Sequence, residues 1–205
     1  MKQSLKLHLS GIFLFFIAAL FAVGITGTIG MRILDKNLET ISKTDIPSIL
    51  YAARIKNGVT AYRGYEYRHI LMSGERNKAE IKSLIDQQEK EISGYIDSLQ
   101  NVLDTDECLS LLKELSSNWN LFLGTTANIV SASNANNQEK AVSYILGDGL
   151  TYYSDIVNIC TELASSVEKN TDDSAAKAIA CQVLFSNLII VIGFLTVVIG
   201  IILAF

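Results

Sequence analysis

Two stretches without a charged residue constrain this chain more than anything else in it: Leu7 to Met31 and Ala178 to Phe205 contain no Asp, Glu, Lys or Arg. A bilayer core of roughly 30 Å is crossed by about 20 apolar residues in a helix rising about 1.5 Å per residue. Both stretches are long enough, and a spanning segment must satisfy its own backbone hydrogen bonds, so both read as helices. Lys2 and Lys6 give the first stretch a basic start like that of a signal peptide. The apolar region of a signal peptide runs only about 7–15 residues, however, so the longer run here reads as an uncleaved anchor. In the second stretch, Leu188 to Phe205 is apolar on every face apart from Thr196, which a soluble helix of this size could not hide.

The expected layout is a cytoplasmic N-terminus over 1–8, a transmembrane helix over 9–31, an extracytoplasmic domain over 32–180 and a second transmembrane helix over 181–205. Lys2 and Lys6 set that orientation by the positive-inside rule, with Arg32 and Lys36 opposing it across the first span. The lipid bilayer is thus the first expected partner. Almost nothing follows the second span, so the expectation is a truncated receptor or a sensor that hands its signal to another protein.

Setting aside Lys2 and Lys6, the net charge of −4 becomes −6, all of it between the spans. An acidic domain argues against nucleic acid as a partner. Cys108, Cys160 and Cys181 are odd in number, widely spaced and outside any metal or haem pattern, and read as helix-packing residues. No metal and no cofactor is expected.

The middle of the chain holds one proline, Pro47, and no strand-like alternation. Apolar residues recur every three or four positions, as in Ile81, Ile85, Ile92, Ile96 and Leu99, in Leu111, Leu115, Trp119 and Phe122, and in Ile156, Ile159, Leu163 and Val167. Breaks at Ser73–Glu75, Asp104–Asp106 and Asn134–Asn137 are short enough to join antiparallel neighbours, with Asp104, Asp106 and Asn137 as capping or turn residues. Gly147-Asp148-Gly149 interrupts the fourth segment near its start, leaving a short helix before a long one. The fold class is therefore all-α: an antiparallel up-down-up-down four-helix bundle continuous with two transmembrane helices.

The first bundle helix is the untidy one. Arg54, Lys56, Arg63 and Arg68 fall within fifteen residues opposed only by Glu66, a local charge of +3 in an acidic domain. Two readings compete: a solvated face with intrahelical pairing, Arg63 lying three residues before Glu66, or an anion site built on planar guanidinium forks. Counted from the nearest turns, Arg63 and Arg68, the polar Thr125 and Thr126, and the Gly147–Tyr153 break reach comparable depth, in the membrane-distal third. A pocket between helices or subunits accounts for that coincidence, and so does packing irregularity. His69, the one histidine between the spans, reads as a satisfied bundle residue or as a further ligand contact.

The order of a basic start, a span, Asp45-Ile46-Pro47, then Tyr62-Arg63-Gly64-Tyr65-Glu66-Tyr67-Arg68-His69-Ile70-Leu71, three more bundle helices and a second span resembles the sensor region of methyl-accepting chemotaxis proteins over nearly the whole chain. The resemblance implies a homodimer in the bacterial inner membrane, with the bundle periplasmic or extracellular. It also implies a carboxylate held by arginines of the first helix, where Arg63 and Arg68 match in spacing, with contacts from the start of the fourth helix, here Tyr152 and Tyr153. A third arginine position one turn on holds Met72 instead, and the family's linker and methylated coiled coil have no counterpart here. The expected ligand-binding set is Arg63, Arg68, His69, Thr125, Thr126, Tyr152 and Tyr153.

The leading expectation is thus a chemoreceptor-type sensory module for a small organic acid or similar anion. The alternatives are a ligand-free, membrane-anchored interaction protein pairing with full-length chemoreceptors, and the input domain of a histidine kinase or cyclase. An enzyme is not expected, since no carboxylate cluster, nucleophile elbow or phosphate loop accompanies His69.

Overall fold

The computed structural model describes residues 2–204; Met1 and Phe205, which close the expected 1–8 and 181–205 segments, lie outside the described residues. Every element in it is helical: α1 (Lys2–Thr40), a π-helical turn (Ile41–Asp45), α2 (Ile46–Leu71), α3 (Glu75–Val102), α4 (Asp106–Asn134), α5 (Gln138–Leu146) and α6 (Asp148–Ala204). The chain forms two compact units, one of Met1–Thr40 with Asp172–Phe205 and one of Ile41–Thr171.

In the first unit, small residues face aromatic ones across an antiparallel helix pair. Phe185 lies beside Gly30 and Phe16 beside Gly200, where a Cβ would come within 3.6 and 3.0 Å of the ring. Phe13, Leu20, Phe21, Phe194 and Ile202 are left largely uncovered. Apolar surface on all sides of a helix pair is at home in hydrocarbon and not in water, and both helices are long and apolar enough to cross a membrane.

The second unit is the four-helix bundle. Its core is the set of stripes the periodicity predicts: Ile81, Ile85, Ile92 and Leu99 from α3, Leu115, Trp119 and Phe122 from α4, Ile156, Leu163 and Val167 from α6, joined by Ile55, Val59 and Tyr62 from α2. The Tyr62 ring meets Trp119 edge-on, centroids 5.5 Å apart, and the Trp119 indole N–H donates to Ser93 Oγ at 3.1 Å. At Gly58 a Cβ would sit 2.9 Å from Ile92 Cγ1, so the missing side chain lets α2 and α3 approach. A smaller apolar cluster of Ile70, Ile129, Ala132, Ala141 and Ile145 closes the end of the bundle opposite its chain connections.

The turns obey local chemistry. Gly74 takes φ +86° between α2 and α3, a conformation open to a residue without Cβ. Thr105, not the aspartates on either side of it, caps α4, its Oγ1 accepting from Cys108 N–H at 3.3 Å. Asn137 caps α5 by accepting from Lys140 N–H at 3.0 Å. The end of α4 is a Schellman motif: Asn136 sits at φ 55°, Asn137 N–H reaches Ala132 O at 2.9 Å, and Asn136 N–H reaches Ser133 O at 3.0 Å. Pro47 has no N–H to donate back to Lys43, and the turn just before it is the π-helical one. Cys108 and Cys160 are free and buried, and burial pushes the Cys160 thiol up to about 12.

A buried polar layer in the bundle

The core stripe of α2 runs Ala52, Ile55, Val59, Tyr62 and then changes character, continuing through Arg63, Glu66 and His69, all buried. Helical spacing therefore sends two ionisable groups and an imidazole into the interior, between the main core and the end cluster. Burying an ion costs several kcal/mol unless partners surround it, and partners do. Arg63 Nη1 donates to Glu66 Oε2 at 2.8 Å. Arg63 Nη2 donates to the carbonyl of Ile145 at 3.0 Å, in the last turn of α5, where a cation meets the negative end of the helix dipole. The guanidinium also lies 5.4 Å from the Phe122 ring centroid and 5.6 Å from that of Tyr153. Gly149 makes room for it: a Cβ there would come within 3.1 Å of Nη1 and 2.8 Å of Tyr144 O.

Glu66 Oε1 accepts from Thr126 Oγ1 at 2.5 Å. Burial raises the Glu66 carboxyl above its ordinary value, with the Thr126 hydrogen bond and the Arg63 charge pulling the other way. Burial likewise drives the Tyr62 phenol far up, against its hydrogen bond with Thr126. One network thus ties α2 to α4, to the end of α5 and to the start of α6.

His69 belongs to a second cluster, farther along α2. Ser133 Oγ donates to the His69 carbonyl at 3.0 Å, so the 2.9 Å contact between Ser133 Oγ and His69 Nδ1 has the imidazole as donor. Burial, and then the charges of Lys78 and Lys82, lower the His69 pKa, which favours the neutral ring. Lys78 is itself buried and donates to Ser133 O and, at 3.3 Å, to Asn136 Oδ1.

Of the seven residues expected to bind a ligand, the fold brings Arg63, Thr126 and Tyr153 together around Glu66. Tyr153 adds a 3.3 Å contact between its hydroxyl and Thr60 Oγ1. Thr125 is buried nearby, its hydroxyl spent on Leu121 O at 3.2 Å. Tyr152 is half-buried against the main core. Arg68 faces outward, its guanidinium 5.8 Å from the Tyr65 ring. Glu66, Lys78 and Ser133 were not among the seven, although Lys78 extends the Ile81–Ile85 stripe of α3 by one turn and Ser133 follows Ile129 by four residues. Among the described residues no three His, Cys, Asp or Glu side chains converge as metal ligands.

A family model described as a four helix bundle sensory module for signal transduction matches residues 4–181. No curated protein matches the chain.

Proposed function

The chain belongs to the family of four-helix-bundle sensory modules for signal transduction, and from that premise we propose that it is a two-pass chemoreceptor-type sensor that pairs through the outer face of α2 and binds a small anion there at Arg68. The bundle lies outside the cytoplasm in this reading, with the segments over 9–31 and 181–205 as its spans.

The carrying observation is the second stripe on α2. Ile46, Leu50, Ala53, Asn57, Ala61, Gly64, Arg68 and Leu71 follow one another at three- and four-residue intervals and are all exposed, with Leu71 75 % and Ile46 58 % open. A helix with small and apolar residues along an uncovered face is built to meet another helix. A second copy meeting it about a two-fold axis brings the same patch to itself, Arg68 included. Two guanidinium groups converging on an axis repel, and an anion between them turns that repulsion into binding. Arg63, already committed to Glu66 and Ile145, serves as a positioning group under this face.

Calorimetry of the full chain in detergent against a panel of organic acids tests the proposal. Arg68→Ala weakens binding by about 10- to 100-fold, from charge-assisted hydrogen bonds of roughly 1.5–3 kcal/mol, while Arg76→Ala, beyond the turn, leaves it unchanged. Equal binding by both variants overturns the site. The internal saturation of Arg63 also suits a ligand-free module that pairs with full-length receptors through the same stripe, and that reading takes precedence when no acid in the panel binds.

A further inference from the structure

The end of the bundle opposite its chain connections holds a cleft of about 430 Å³, within the size range of small-molecule sites. Its wall is polar, with His69 from α2, Glu75, Lys78 and Lys82 from α3, and Asn134 and Asn136 from the end of α4. We propose that this cleft, inside a single subunit and separate from the face that carries Arg68, binds a small monocarboxylate bearing a hydroxyl or amino donor.

Lys78 carries the case for the carboxylate. It is only 8 % exposed, yet its ammonium is met by two neutral oxygens, Ser133 O and Asn136 Oδ1. The neighbouring Lys82 has Asp86; among the described residues no carboxylate pairs with Lys78. An ammonium has three N–H groups, so one remains for an occupant of the cleft, and a buried cation without a counter-charge favours an anionic one.

His69 sets the rest of the ligand. With Nδ1–H committed to Ser133, Nε2 is left as an acceptor. No protein donor meets it, and no buried polar atom among the described residues lacks a partner, so Nε2 keeps access to the cleft. A ligand donor next to the carboxylate answers it. A dianion fits poorly, because the α4 carbonyl terminus, Glu75 and Asp86 all oppose a second negative charge.

The test uses the full chain in detergent with lactate and alanine as probes and propionate, which lacks the donor, as control. Lactate and alanine bind about 3- to 10-fold tighter than propionate, the size of one added hydrogen bond. His69→Asn keeps an amide at the Nδ1 position for Ser133 and deletes Nε2, so this preference disappears while the melting curve holds. Lys78→Met weakens all three probes at least about tenfold, and Arg68→Ala leaves them unchanged. In ¹⁵N-histidine spectra the His69 signal moves with lactate and that of His8, the other histidine of the chain, does not. A lactate preference that survives His69→Asn, binding abolished by Arg68→Ala alone, or no binding at millimolar probe overturns the proposal. Loss on Arg68→Ala alone would still leave the outer-face site standing.

Discussion

Arg63 and Glu66 form an ion pair inside the bundle, Nη1 to Oε2 at 2.8 Å, with side-chain exposures of 8 % and 0 %. The pair spans three residues of one helix, as its spacing suggests, but it faces the core and not solvent. It thereby decides how α2, α4 and the α5–α6 junction meet.

Removing one partner strands the other without its counter-charge. Arg63→Met or Glu66→Leu alone costs about 3–5 kcal/mol of stability. The double variant costs far less than the sum, since two apolar side chains replace a desolvated pair. Thermal and denaturant unfolding of the full chain in detergent, followed by circular dichroism, measures the coupling; additive losses would show the pair to be energetically independent.

Stability responds to pH through two groups with opposite signs. Glu66 has its carboxyl raised above 4.5 by burial, so its contribution is fully present below 4.5 and is lost as pH rises through the raised value. His69 is lowered from 6.5 by burial and by Lys78 and Lys82; its contribution is present above 6.5 and is lost as pH falls through the lowered value. Glu66→Gln removes the first dependence and His69→Asn the second, read as flattened segments of the melting temperature against pH.

Close packing at Gly58 makes a single methyl costly. Gly58→Ala drives a Cβ to 2.9 Å from Ile92 Cγ1 and destabilises by about 1–3 kcal/mol. Gly94, exposed on α3 with nothing within 4 Å of a Cβ, is the control: alanine there stabilises by about 0.5–1 kcal/mol. Unfolding midpoints of the two variants separate in opposite directions.

Pairing through the outer face of α2 predicts a periodic cross-linking pattern. In membranes, single cysteines at Ala53, Asn57, Ala61 and Gly64 form disulfides between subunits in a background without the native cysteines. Cysteines at Ala52 and Val59, both buried in the core, do not. Uniform cross-linking, or none, rules the face out.

The two-pass arrangement predicts opposite compartments for two reporters. A reporter fused after Phe205 behaves as cytoplasmic, and one inserted at Asn136, in the exposed turn after α4, behaves as exported. Reversed signals would put the bundle inside the cell.

Most of the architecture was legible because it rests on local periodicity. The charge-free runs, the stripes of α3, α4 and α6, and the break at Gly147 each follow from residues close together in the chain. Cap identity was less legible: Thr105 and its flanking aspartates are all good N-cap types, and only the backbone shows which one occupies that position.

The sequence does not say which of the charges on α2 turn inward. This helix has apolar residues on two faces, Ile55 and Val59 inward, Leu50 and Leu71 outward, and charges on both, Arg63 buried and Arg68 exposed. Pattern alone determined that the segment is a helix in a bundle between two long apolar helices. Only the packing of α3, α4, α5 and α6 around it chose the inner face, because a buried arginine is tolerable solely where Glu66, the Ile145 carbonyl and two aromatic rings converge on it. All of these but Glu66 lie on other elements, up to 90 residues away in the case of Tyr153, and only the tertiary fold brings them together.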